Sequence, residues 1–250
     1  MSRAFAGELL KLRTTRTFYA LVASAVLATL AVSVLGALFG RWKAGDTPPG
    51  EDLVGAAYFG LAFALVLGLL AVTSELRHGT IAPTLLAVPG RGRLMAAKVA
   101  AHLLAGFALG LVTVVLNLAV VEAILRARGI DGGTSLGEAV RWSGGTAIAA
   151  ALYAGIGVGV GAVIRNQVGA LVGGFAWLFV VEPLLAAIPT VGDQIWRFGI
   201  GGLADGLDGA SGSNNPDLLG QLPAGIVLAG YVALAAVAGA ALLRRRDVTG

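Results

Sequence analysis

The sequence predicts an all-α membrane protein with six transmembrane helices, and three observations predict it. Of the 250 residues, 57% are hydrophobic and only 13% charged, with a mean hydropathy of +0.84, too little polar surface to cover a soluble globule of this size. Six apolar runs each approach the roughly 20 residues that cross about 30 Å of hydrocarbon at 1.5 Å per residue. Finally, Lys and Arg divide unevenly between the two sides that six spans define.

Taken in order, residues 1–16 put Phe5, Leu9 and Leu12 at helical spacing beside Lys11, Arg13 and Arg16, the pattern of an amphipathic helix lying in the membrane interface. The first span is expected at 18–38. Its basic flank resembles a signal peptide, but the run is too long for such a core and five more follow, so it is read as retained. Further spans are expected at 53–73, 99–121, 144–164, 168–187 and 222–243. Between the second and third, residues 74–98 form a loop in which Ile81, Leu85 and Val88 make a short apolar stripe, with Thr80 as a helix cap and Pro83 tolerable in a first turn. Residues 188–221 form a Gly- and Asp-rich loop, partly ordered at best, with a turn or link at 211–216.

The side bearing both termini and residues 74–98 carries 12 of the 18 Lys and Arg but only Glu8, Glu75 and Asp247 among the 14 acidic residues. By the positive-inside rule that side is the cytoplasm. Residues 188–221 are then extracellular. Spread between apolar runs, the net charge of +4 offers no basic face to nucleic acid. The absence of cysteine excludes disulfides and thiolate sites.

Catalytic motifs are weak. The three lysines, Lys11, Lys43 and Lys98, follow Leu10, Trp42 and Ala97, so there is no Gly-Lys-Ser/Thr phosphate loop. Gly157 to Ala162 matches a loose dinucleotide pattern but lies inside a span with no strand before it. Gly133-Thr134-Ser135-Leu136-Gly137 has the spacing of a nucleophile elbow, yet His78 and His102 fall on the opposite side. Those two histidines, remote from carboxylate clusters, give no metal site. No catalytic residue is therefore assigned. GxxxG spacing at Gly36/Gly40, Gly106/Gly110, Gly155/Gly159, Gly157/Gly161 and Gly169/Gly173 suits close helix contact. Glu182, followed by Pro183, and Asn117 and Glu122 are polar groups at membrane depth. Each reads either as part of a pathway or as a structural polar group satisfied locally.

The stretch Glu75-Leu76-Arg77-His78-Gly79-Thr80-Ile81, then Thr84-Leu85-Leu86 and Pro89-Gly90-Arg91-Gly92-Arg93, closely resembles the cytoplasmic loop of type-2 ABC exporter permeases. The opening Glu8 to Arg16 and the pair Glu182-Pro183 are similar to bacterial members of that group. The resemblance implies a multi-pass permease of the bacterial inner (plasma) membrane, pairing with an identical or homologous chain to form the substrate pathway. It also implies two copies of a separate ATP-binding subunit that hold Mg-ATP, with no cofactor on this chain. The 74–98 loop would be the coupling element, and ATPase coupling falls to Glu75, Arg77, His78, Gly79, Thr80, Ile81 and Leu85. Two other readings are an ion-coupled secondary transporter using Glu182, which the lack of an internal repeat disfavours, and a non-transporting membrane anchor or assembly protein.

Overall fold

The structure, a computed structural model, describes residues 2–40, 58–88, 90–209 and 218–245. All of its regular elements are helical. Two short helices, α1 (Ser2–Thr14) and α4 (Ile81–Ala87), accompany the long α2 (Arg16–Phe39), α3 (Tyr58–Arg77), α5 (Arg91–Ala127) and α6 (Leu136–Ile164). Then come α7 (Gln167–Ala176), a π-helical turn (Trp177–Val181), α8 (Glu182–Ala186), α9 (Gly192–Phe198), α10 (Ile200–Asp208) and α11 (Gln221–Arg245). Among the described residues six helices are long and apolar enough to cross a membrane: α2, α3, α5, α6, α11 and the continuous run Gln167–Ala186.

Helix α6 is the central post, packed against α3, α5, α7, α10 and α11. Its glycines permit this. A Cβ on Gly68 or Gly106 would come within 3.0 Å of the carbonyl oxygens of Ala154 or Ala150 on α6, and one on Gly157 equally close to that of Leu65 on α3. In lipid, where apolar burial drives little association, such backbone approach supplies the van der Waals contact that holds helices together. Of the GxxxG pairs, 106/110, 155/159 and 157/161 lie in the contacts of α6 with its neighbours; a Cβ on Gly173 would meet no neighbouring element within 4 Å.

Several boundaries differ from the sequence expectation. The third span begins at Arg91 rather than 99, so the basic stretch is the first two turns of α5 and the loop reduces to His78–Gly90 around α4. The fourth starts at Leu136 because Ser135 caps it: its hydroxyl accepts from Glu138 N at 3.2 Å while Glu138 Oε2 accepts from Ser135 N at 2.8 Å. Spans four and five are joined by Arg165 and Asn166 alone. Arg165 turns the chain in a left-handed conformation (φ 60°) and Asn166 Oδ1 caps α7 through Gly169 N, 2.8 Å. The π turn precedes Pro183, which lacks an N–H and crowds the preceding turn, and Tyr58 donates to the Leu178 carbonyl within that turn at 3.3 Å.

The largest departure is in residues 188–221, expected to be partly ordered at best. Residues 192–208 form α9 and α10, and α10 is buried against α6 and α11. Small residues make this possible: Gly145 of α6 leaves room for the backbone of Leu207 and Asp208, and Gly206 for that of Leu219. The turn expected at 211–216 lies outside the described residues.

Candidate functional site

Where α3 leaves the bundle, Gly79 turns the chain at φ 67° and α4 follows at once. Of the residues assigned to coupling, Arg77, His78, Gly79 and Thr80 are exposed. Ile81, 3% exposed, faces inward with Leu85 onto Val72, Met95 and Leu243. The apolar stripe therefore fastens α4 to its own bundle, and the face turned outward is His78 to Thr80, Ala82, Pro83 and Leu86, the last 84% exposed. Arg77 reaches Gln167 Oε1 at 3.2 Å, tying the end of α3 to the start of α7.

Glu75 is also buried, and it belongs to a cluster of four charges. Lys98 of α5, 2% exposed, donates to Glu75 Oε1 (2.7 Å), Glu8 Oε2 (3.0 Å) and the Ala71 carbonyl (3.2 Å). Lys11 of α1 donates to the same Glu75 oxygen and to Glu8 Oε1, both at 2.8 Å. Two acids and two bases thus join α1, α3 and α5. Burying such charges is costly, and only complete pairing offsets the loss of water. Burial raises the Glu8 carboxyl, but Lys98 and Lys11 more than offset this and hold it below its ordinary 4.5. Lys11 is pulled down by burial and, more strongly, up by the two carboxylates, ending above 10.5.

A half-open cleft of about 520 Å³ adjoins the cluster. Its lining mixes polar groups, among them Lys11, Thr15, Glu75, His78 and Thr84, with the apolar Phe18, Leu21 and Leu70. His78 and His102 both line it, but each Nδ1 donates to a backbone carbonyl, Ser74 and Lys98 respectively, both at 2.8 Å. Among the described residues no three His, Asp or Glu side chains gather as a metal site would require.

The other polar candidates are separate. Glu182, 1% exposed, accepts from Gly201 N at 2.6 Å and so caps the start of α10, where a carboxylate meets free N–H groups and the positive end of the helix dipole. The space its Oε1 occupies would be filled by a Cβ on Gly199. Asn117 is buried on α5. Glu122 pairs with Arg126 at 2.7 Å, one turn away.

Reading the sequence missed Glu8, Lys11 and Lys98 as members of this site. In the sequence all three read as charges that set sidedness or flank an interfacial helix. The signal available was the i, i+3 pair Glu8/Lys11, and a lone lysine within the apolar face Leu94, Met95, Ala97, Ala101.

Six long apolar helices among the described residues, packed through glycine contacts on the central α6, define a polytopic helical membrane protein. Residues 44–192 match the family described as ABC-2 family transporter protein. That is more than half of the chain, and the chain belongs to this family. Its members generally lack an ATPase of their own and partner an ATP-binding subunit. Among curated proteins none matches the chain.

Proposed function

We propose that this permease is the membrane-spanning subunit of an ATP-driven exporter, in which two permease chains, identical or homologous, enclose the pathway and a pair of separate ATPase subunits drives it. The ATPase seats on α4, on the cytoplasmic side of a bacterial inner membrane, and Mg-ATP belongs to that partner. One observation carries this reading: a seven-residue helix anchored from within by Ile81 and Leu85 and presenting His78 to Thr80, Pro83 and Leu86 outward. An apolar tip ringed by polar groups suits a small contact that must form and move. The charge cluster then connects that contact to α1 and α5, so that displacement of α4 reaches three helices at once.

Co-expression with an ABC ATPase encoded beside this chain tests the proposal. The wild-type chain should retain the ATPase on purification and alter its turnover. Leu86→Asp with His78→Glu should abolish both while leaving the monodispersity of the permease unchanged. Retention and turnover equal to wild type in that double variant would reject α4 as the docking element.

A further inference from the structure

The cleft beside the charge cluster, about 520 Å³, has the size of a small-molecule site. Its polar lining is built to accept hydrogen bonds. The hydroxyls of Thr14, Thr15, Ser74 and Thr84 donate to the carbonyls of Leu10, Lys11, Leu70 and Thr80, which leaves their lone pairs for a ligand. His78 and His102 likewise spend Nδ1 on backbone carbonyls, so that in each neutral ring Nε2 is an acceptor. Glu75 Oε2 is buried with no hydrogen-bond partner. Two carboxylates, Glu8 and Glu75, line the cleft against one ammonium, that of Lys11; Lys98 is not part of the lining.

That ammonium shows what the site holds. Lys11 Nζ meets Glu8 Oε1 and Glu75 Oε1 at 2.8 Å each and Thr84 Oγ1 at 3.5 Å, one acceptor for each proton of a primary ammonium. The occupant is replaceable. Lys11 is 47% exposed on a flexible stem, and water can take its charge at little cost. Lys98, 3% exposed, cannot leave so cheaply. In the same lining Phe18 and Leu21 of α2 and Leu67 and Leu70 of α3 offer apolar surface to a tail.

We propose that the cleft binds an amphiphilic primary amine, its ammonium taking the place of Lys11 on Glu8 and Glu75 and its tail lying along Phe18, Leu21 and Leu70. Charge stays balanced in the exchange, with two carboxylates facing Lys98 and the ligand while Lys11 turns to water. An anionic head would instead meet two carboxylates and a lysine whose donors are spent. A quaternary ammonium carries the charge but has no N–H to give. The amine can come from an aminolipid headgroup or from a free amphiphile, and binding frees α1 from Glu75, leaving it the Glu8–Lys98 pair. Nothing in this site depends on the docking of an ATPase.

The test uses the full-length chain in phosphatidylcholine nanodiscs at neutral pH, with empty nanodiscs as the blank. Radiolabelled dodecylamine should bind saturably, one per chain, whereas dodecyltrimethylammonium and dodecanol should show partitioning alone. Lys11→Met removes the internal competitor and should tighten dodecylamine binding roughly three- to five-fold. Glu75→Gln should weaken it at least about ten-fold. Exchanging the lipid for phosphatidylethanolamine separates the sources: suppressed binding assigns the site to an aminolipid headgroup, and retained binding to a free amine. Should Glu75→Gln not fold, the three probes and Lys11→Met decide. No saturable dodecylamine binding, equal saturable binding of dodecyltrimethylammonium, or an affinity not raised in Lys11→Met would each overturn the site.

Discussion

Replacing Lys98 with methionine should destabilise the bundle more than any other single charge removal at the α1 end. The side chain makes two ion pairs and one backbone hydrogen bond while 3% exposed. Its loss changes a balanced set of two acids and two bases into two buried carboxylates sharing Lys11. Removing one partner of a buried ion pair costs about 3–5 kcal/mol, because the remaining charge stays desolvated. Lys11 pairs with the same two carboxylates, at 2.8 Å each, but is 47% exposed, so solvent screens it and Lys11→Met should cost about 1 kcal/mol or less. The assay is reversible denaturation of the full chain in mixed micelles, read as the shift in midpoint for each variant. Lys98→Met/Glu8→Gln should recover part of the loss, since it leaves the single pair Lys11–Glu75. Equal shifts for Lys98→Met and Lys11→Met, or no recovery in the double variant, would refute burial as the source of the energy.

Acid should weaken the same cluster. Glu8 has a folded value below its ordinary 4.5, so its contribution is complete above that value and is lost as pH falls through the lower folded one; Glu8→Gln should flatten the acid limb of stability against pH. Gly68→Ala places a Cβ within 3.0 Å of the Ala154 carbonyl and should cost about 1–3 kcal/mol, whereas Gly173→Ala, with nothing within 4 Å, should leave the melting temperature unchanged. Glu182→Leu removes the cap of α10, and a cysteine replacing the buried Leu203 in this cysteine-free chain should then react with a water-soluble maleimide; in Glu182→Gln, which keeps an acceptor, it should stay protected. Cysteines at Gly79 and Gly129 should be labelled from opposite faces of sealed vesicles, Gly79 from the cytoplasmic one.

Hydropathy alone revealed the spans because length and apolar composition are properties of contiguous residues. The coupling loop was visible as a motif, but its orientation was not: Ile81 and Leu85 form an apolar stripe whether it faces a partner or the chain's own Val72 and Leu243. Glu75 looked like an exposed charge because its cations, Lys11 and Lys98, lie 64 and 23 residues away. Residues 192–208 were similarly misjudged. Their glycines read as loop formers, and only the facing Gly145 and the Glu182 carboxylate show that those glycines let α10 pack closely. Long-range pairing of small or charged residues leaves no periodic trace in a single chain.

The charge cluster also imposes an order on biosynthesis. When α1 emerges from the ribosome, Glu8 and Lys11 have only each other; Glu75 follows 64 residues after Lys11, and Lys98 a full 90 after Glu8. The cluster therefore cannot close until the chain has been made as far as the start of the third span. Its closure reports that α3 and α5 have been inserted side by side, a checkpoint that a chain truncated before Lys98 can never pass.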